Sequence, residues 1–149
     1  MADEEQPKFF SLTEAESLRT QIEPLLIEAI EARRKIEGVD EKLDELSERI
    51  QRSGGLLPPY ELASKWRREH NHLATAIRSA VERIHATGCV VKDIEVGLLD
   101  FPSRIDGQEV FLCWRLGEDR IRFYHTMDEG FSGRKPIDPR DAGFQNPIQ

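Results

Sequence analysis

Between Val110 and Arg134 the chain reads VFLCWRLGEDRIRFYHTMDEGFSGR, a run that holds a thiol, an imidazole, two acidic pairs and four arginines. Three kinds of chemistry could draw on it. A zinc or iron centre would take ligands from Cys113 and His125, with Asp100, Glu118 and Asp128 as further donors, although their spacing matches no closed structural site. A nucleophilic centre would use Cys113, its thiolate steadied by Arg122, with His125 as base. An anion-binding surface would use Arg115, Arg120, Arg122 and Arg134, with Asp100, Tyr124, His125 and Asp128 around them. Which of these can exist depends on which side chains share a face, and that is set by the elements that carry them.

After Gly88 the hydrophobic pattern alternates, which predicts strands at 90–94, 98–105, 108–115 and 120–126. Asp106-Gly107 is a two-residue hairpin signal, so Asp100 falls opposite Cys113 and Phe101 opposite Leu112. A second turn at Leu116-Gly117-Glu118-Asp119 puts Arg115 beside Arg120, Cys113 opposite Arg122, Leu112 opposite Phe123 and Val110 opposite His125. One face then carries Leu99, Phe101, Val110, Leu112, Trp114, Ile121, Phe123 and His125, and is the expected core face. Cys113 and His125 point to opposite sides in this register and, unless a bulge alters it, cannot share one ion. No catalytic residue, metal site or cofactor is therefore expected, whether the protein is an enzyme stays open, and the arginines become the feature that needs an acidic counterpart.

Upstream, Ser11-Leu12-Thr13-Glu14 reads as a capping box, and apolar residues fill a heptad seam from Leu18 to Ile50. A second helical run over 58–87 opens on Pro58 and Pro59 and closes at Gly88. Ser53-Gly54-Gly55 turns the chain between them, predicting an antiparallel helical hairpin. Pro24, costing about 3 kcal/mol inside a helix, predicts a kink or break in the first.

The expected class is α+β: one domain of 149 residues with a disordered tail at 1–8, helices over 11–52 and 58–87, a meander of three or four strands over 89–126, and an irregular tail over 127–149. A net charge of −7 and the lack of an apolar run of about 18 residues argue against nucleic-acid and membrane partners. With two cysteines and an acidic N-terminus in place of a signal peptide, a cytoplasmic protein with reduced thiols is expected. The first 52 residues hold 14 acids against 8 bases and residues 53–88 hold 3 against 5, so the helices have opposite charge balance. Two helices bury only part of a seam in each other, which makes a homodimer through the hairpin the expected partnership. The roles that follow are a non-catalytic, self-associating interaction module or, as the alternative, a protein or enzyme that binds a small anionic ligand or acidic surface with the polar sheet face and the 125–134 loop, with metal binding ranked third.

The pieces FFSLTEAESL at 9–18, GLLDFP at 97–102, VFLCWRLGE at 110–118 and HTMDEGFSGR at 125–134 resemble a prokaryotic family catalogued as domain of unknown function 2203. Asp100, Cys113, Trp114, Arg115, Glu118, His125, Asp128, Gly130, Phe131, Gly133 and Arg134 match that pattern. Tyr124 stands where the pattern has tryptophan, and Thr126 where it has an acid, which weakens any scheme built on a His–Glu pair. The resemblance implies no activity, but it directs attention to residues 113–134.

Overall fold

A computed structural model describes residues 8–54 and 60–138. Helix α1 spans Leu12–Arg52 and helix α2 spans Tyr60–Ala86, followed by strands β1 (Val90–Asp93), β2 (Leu98–Ile105), β3 (Gln108–Arg115), β4 (Phe123–Thr126) and β5 (Lys135–Pro136). The strands form one antiparallel sheet in sequence order. The expected tail at 1–8 lies, but for Lys8, outside the described residues, as do Gly55, Pro58 and Pro59. Among the described residues no helix is long and apolar enough to cross a membrane.

The capping box closes α1 as expected: the Ser11 hydroxyl accepts the Glu14 N–H at 3.1 Å, and the Glu14 carboxylate accepts the Ser11 N–H at 3.1 Å. α1 then runs through Pro24 without a break. Ile22 and Leu26, on either side, are 2 % and 0 % exposed in the main core. Burying two such side chains contributes about 1.5–3 kcal/mol each, enough to offset the roughly 3 kcal/mol a helical proline costs. Farther out, α1 and α2 meet through buried Ala32, Val39 and Leu73, with Ile36, Leu43, Trp66, Ala76 and Ile77 half-covered around them. His70 Nε2 lies 3.2 Å from Asp40 across that seam.

Two residues past the end of α2 stands Gly88, whose φ of +100° favours glycine and where a Cβ would crowd the Phe10 ring at 3.2 Å. Phe10 in turn bonds to the sheet. Its N–H donates to Pro102 O at 2.8 Å, and its carbonyl accepts from Ser103 Oγ at 2.6 Å. The principal core joins Phe10, Ile22, Leu26, Ile30 and Ile84 to Leu99, Phe101, Val110, Leu112 and Trp114 on the helix-facing side of the sheet.

The β2–β3 register is the one the Asp106-Gly107 turn predicts, with Asp100 opposite Cys113 and Phe101 opposite Leu112. Both turn residues have positive φ, 49° and 83°, as a tight hairpin that follows strand twist requires. The next pairing differs by one residue. Cys113 faces Phe123 rather than Arg122, Leu112 faces Tyr124, Phe111 faces His125 and Val110 faces Thr126. The expected strand over 120–126 starts only at Phe123, because the preceding loop is held elsewhere: Glu16 of α1 accepts the Ile121 N–H at 2.8 Å, and Ile121 is buried at 4 % exposure. Arg120 lies outside β4, so Arg115, which pairs with Leu98 on β2, has no register partner in Arg120.

A one-residue offset turns every side chain of a strand over. Phe123 and His125 leave the core face to which the sequence assigned them, and Tyr124 packs against the core instead. Of the tail expected to be irregular, residues 127–138 carry a 3-10 turn at Phe131–Gly133 and a fifth strand beyond the three or four predicted, and 139–149 lie outside the described residues. A two-residue strand containing proline has no periodicity to read. It exists through its partner, with Tyr124 opposite Lys135, Phe123 opposite Pro136, and Ile137 N–H donating to Arg122 O at 2.8 Å.

Candidate functional site

Three adjacent strands deliver one polar side chain each to the sheet face away from the helices. Asp100 comes from β2, Cys113 from its register partner on β3, and His125 from β4. Donor atoms of the three lie within 4.8 Å of one another, and all three residues are buried. The expectation that Cys113 and His125 occupy opposite faces is overturned, and its cause is the Glu16–Ile121 bond that shifts β4.

His125 is held from both ends. Nδ1 is 2.9 Å from the Thr126 carbonyl, which can only accept, so Nδ1 carries the proton and donates it. Nε2 is then turned to Asp100 Oδ2, 3.0 Å away. The Phe111 ring flanks the imidazole, its centroid 5.4 Å distant. Burial holds the Asp100 carboxyl above its ordinary range, against the opposing pull of His125 and Lys92. The Cys113 thiol is close enough to favour the carboxylate as well, yet no donor meets Asp100 Oδ1 in hydrogen-bond geometry.

Burial and the neighbouring Asp100 push the Cys113 thiol up to about 12, with Arg134 acting the other way. A thiol in that range stays protonated at neutral pH and is a poor nucleophile. The imidazole that would have to activate it is engaged with Asp100 and Thr126. The nucleophilic reading therefore finds no support in the geometry. Cys89 is buried elsewhere in the core, its thiol likewise raised by desolvation.

Residues 127–134 cross over this face as a strap. Asp100 and His125 open onto a cavity of about 160 Å³ bounded by Lys92, Phe111, Glu129 and Phe131. Arg134 fastens the strap. Its Nη2 donates to both Glu118 carboxylate oxygens at 2.8 Å, and the guanidinium stacks over Phe123 and Phe131, 4.0 and 4.5 Å from their centroids. A second tie comes from Glu129, which accepts from Thr126 Oγ1 at 2.9 Å and pairs with Lys135 at 3.1 Å.

The arginines expected to form one anion site are dispersed. Arg122 makes two 2.8 Å bonds to Asp119, whose carboxyl it holds down at about 2. Arg134 belongs to Glu118, and the Arg115 guanidinium lies 6.0 Å from the Phe131 centroid. Arg120 and Arg122 border a separate open groove of about 740 Å³ between the start of α1 and Ile121–Phe123. Tyr124 is on the helix side, and Asp128 is exposed in the turn after β4. Of the eight residues expected around the anion site, Asp100 and His125 are the pair brought within hydrogen-bond distance. Cys113 joins them although the sequence reading had separated it, and Lys92, Glu129 and Phe131 were not anticipated as neighbours. The joint presence of Asp100, Cys113 and His125 in the family-like pattern was the one available signal.

These features define a class: an α+β protein in which a helical hairpin carries a five-stranded antiparallel meander, with a buried Asp–Cys–His cluster under a strap. The chain belongs to the family described as uncharacterized conserved protein (DUF2203), whose profile matches residues 8–137. No match was found among curated proteins or among solved structures.

Proposed function

We propose that the chain is a binding protein that holds a small ligand in the cavity beneath the 127–134 strap. The observation that carries this reading is the unpaired Asp100 Oδ1, buried in a residue only 1 % exposed that lines the cavity together with His125. A carboxylate oxygen and an imidazole lone pair call for positive charge or for N–H and O–H donors. The anion expected from the arginines finds less support, because Arg122 and Arg134 already have acidic partners. A thermal-shift screen of divalent cations, amines, amino acids and nucleosides checks the reading. At about 100 times its Kd a ligand contributes ~2.7 kcal/mol, which for a chain of this size raises Tm by roughly 5–10 °C. At least one compound should do so for the native chain and not for a folded Asp100→Asn variant. A screen in which no compound moves the native Tm overturns it.

Self-association through the hairpin is a second reading, supported by the thin seam beyond the sheet. There Ile36, Leu43, Trp66 and Ile77 stay half-covered within one chain. A second copy laid antiparallel would set the acidic α1 of one chain against the more basic α2 of the other. Sedimentation velocity at tens of micromolar, on the order of the Kd of such a pair, should show a dimer that Trp66→Glu dissociates. A stable monomer at that concentration sinks the idea.

A further inference from the structure

We propose that Asp100, Cys113 and His125 are the protein ligands of one transition-metal ion of the zinc class, bound with a coordination position open to the cavity. The inference rests on the binding reading above and names its ligand.

The first ground is convergence. Donors bound to one tetrahedral ion at about 2.0–2.3 Å stand about 3.3–3.8 Å apart. In the protein the three donor atoms already lie within 4.8 Å of one another, and His125 Nε2 and Asp100 Oδ2 are at 3.0 Å. The three ligands come from three adjacent, hydrogen-bonded strands of one sheet, which holds their backbones in a fixed register. The second ground is orientation. A metal-bound histidine nearly always donates its other ring N–H to a carbonyl or carboxylate, which fixes the tautomer. His125 does this through Nδ1 to Thr126 O, leaving Nε2 aimed into the cluster.

The third ground is the unsatisfied oxygen. A buried acceptor without a partner is destabilising, the more so when it is charged. Asp100 Oδ1 is such an atom. Without an ion, the Nε2–Oδ2 contact also needs a proton between the two groups. A cation replaces that proton and gives the carboxylate a partner. The charges balance once binding the ion releases the Cys113 thiol proton to solvent, since a carboxylate and a thiolate together then offset a divalent ion in a buried site. Lys92 and Arg134 are the positive groups that act on the cluster in opposition. Lys92 stands on the cavity side, 5.5 Å from the Phe111 centroid, and Arg134 is engaged with Glu118.

The donor set narrows the ion. One sulfur, one nitrogen and one oxygen suit zinc and its neighbours, whereas magnesium and calcium take oxygen ligands. Glu129 lines the same cavity, but its Oε1 accepts from Thr126 and Lys135 and it stands outside the set of three convergent donors. With three protein ligands the remaining position falls to water or to a small molecule entering beside Phe131, the pattern of sites that keep a reactive position.

Cobalt(II) titrated into the full chain, after stripping with a chelator, tests this. The expected result is one ion per chain, with a near-ultraviolet thiolate-to-cobalt band and the intense visible bands of a four-coordinate site, all bleached by zinc. Cys113→Ser should abolish the thiolate band, His125→Gln and Asp100→Asn should weaken cobalt binding by at least about tenfold, and Cys89→Ser should change nothing. Circular dichroism keeps folded and unfolded variants apart, and the native chain decides the matter by itself. A folded native protein that develops no thiolate band with cobalt in excess overturns the metal assignment, as does a band that survives Cys113→Ser. If the metal fails while an organic compound still raises Tm in an Asp100-dependent way, the cavity reading stands and only the ion is wrong.

Discussion

Trp114→Ala should destabilise the protein by about 3–5 kcal/mol and lower Tm by roughly 10–15 °C, as measured by thermal and urea unfolding. Trp114 is the largest of the fully buried side chains. It stands on the helix-facing side of β3 opposite Leu99, with the Arg19 guanidinium 5.2 Å from its ring centroid. Its truncation leaves a cavity in a core whose other walls are strands and helices that cannot collapse inward. The indole also has a polar task, since Nε1–H donates to Glu118 O at 3.1 Å and so holds the turn after β3. Trp114→Phe separates the two contributions. It keeps most of the volume and loses the bond, so that term should account for about 1 kcal/mol. A loss below 1 kcal/mol for the alanine variant would contradict the core described above.

Glu118→Ala should cost about 2–4 kcal/mol and loosen the strap over the polar cluster. Glu118 accepts the Arg115 N–H at 2.7 Å and receives Arg134 Nη2 on both oxygens. The two side chains are 21 % and 13 % exposed, so the pair is partly withdrawn from water. Removing the acid strands a guanidinium whose Nε already lacks a partner and which is flanked by Phe123 and Phe131. Hydrogen exchange should accelerate at Gly133, Arg134 and Ile137, whose amides are bonded within the strap and to Arg122 O, while the β2–β3 amides stay protected. Glu118→Ala combined with Arg134→Met should recover part of the stability, because the uncompensated charge goes with its partner. Unchanged exchange at these three amides would show that the Glu129 tie and the aromatic contacts hold the strap without Glu118.

The elements governed by neighbouring residues were legible in the sequence. The capping box, the heptad seam and the Asp106-Gly107 turn act over three to seven residues, and each produced the structure that its pattern implied. The turn alone set Asp100 opposite Cys113. The same local rules failed at β4. Leu116 to Asp119 look like a second tight turn, yet the chain leaves the sheet there so that Ile121 can bury itself and bond to Glu16, 105 residues away. Nothing within the run from Val110 to Arg134 encodes that contact.

Sequence by itself therefore determined the two helices, the meander and the first hairpin register, because those depend on short-range geometry and a hydrophobic period. Tertiary structure alone decided the register of β4, the fifth strand and the strap, and with them whether His125 faces the core or Asp100 and Cys113. The physical reason is the two-residue period of a strand: one long-range hydrogen bond that absorbs a single extra residue reverses every side chain beyond it.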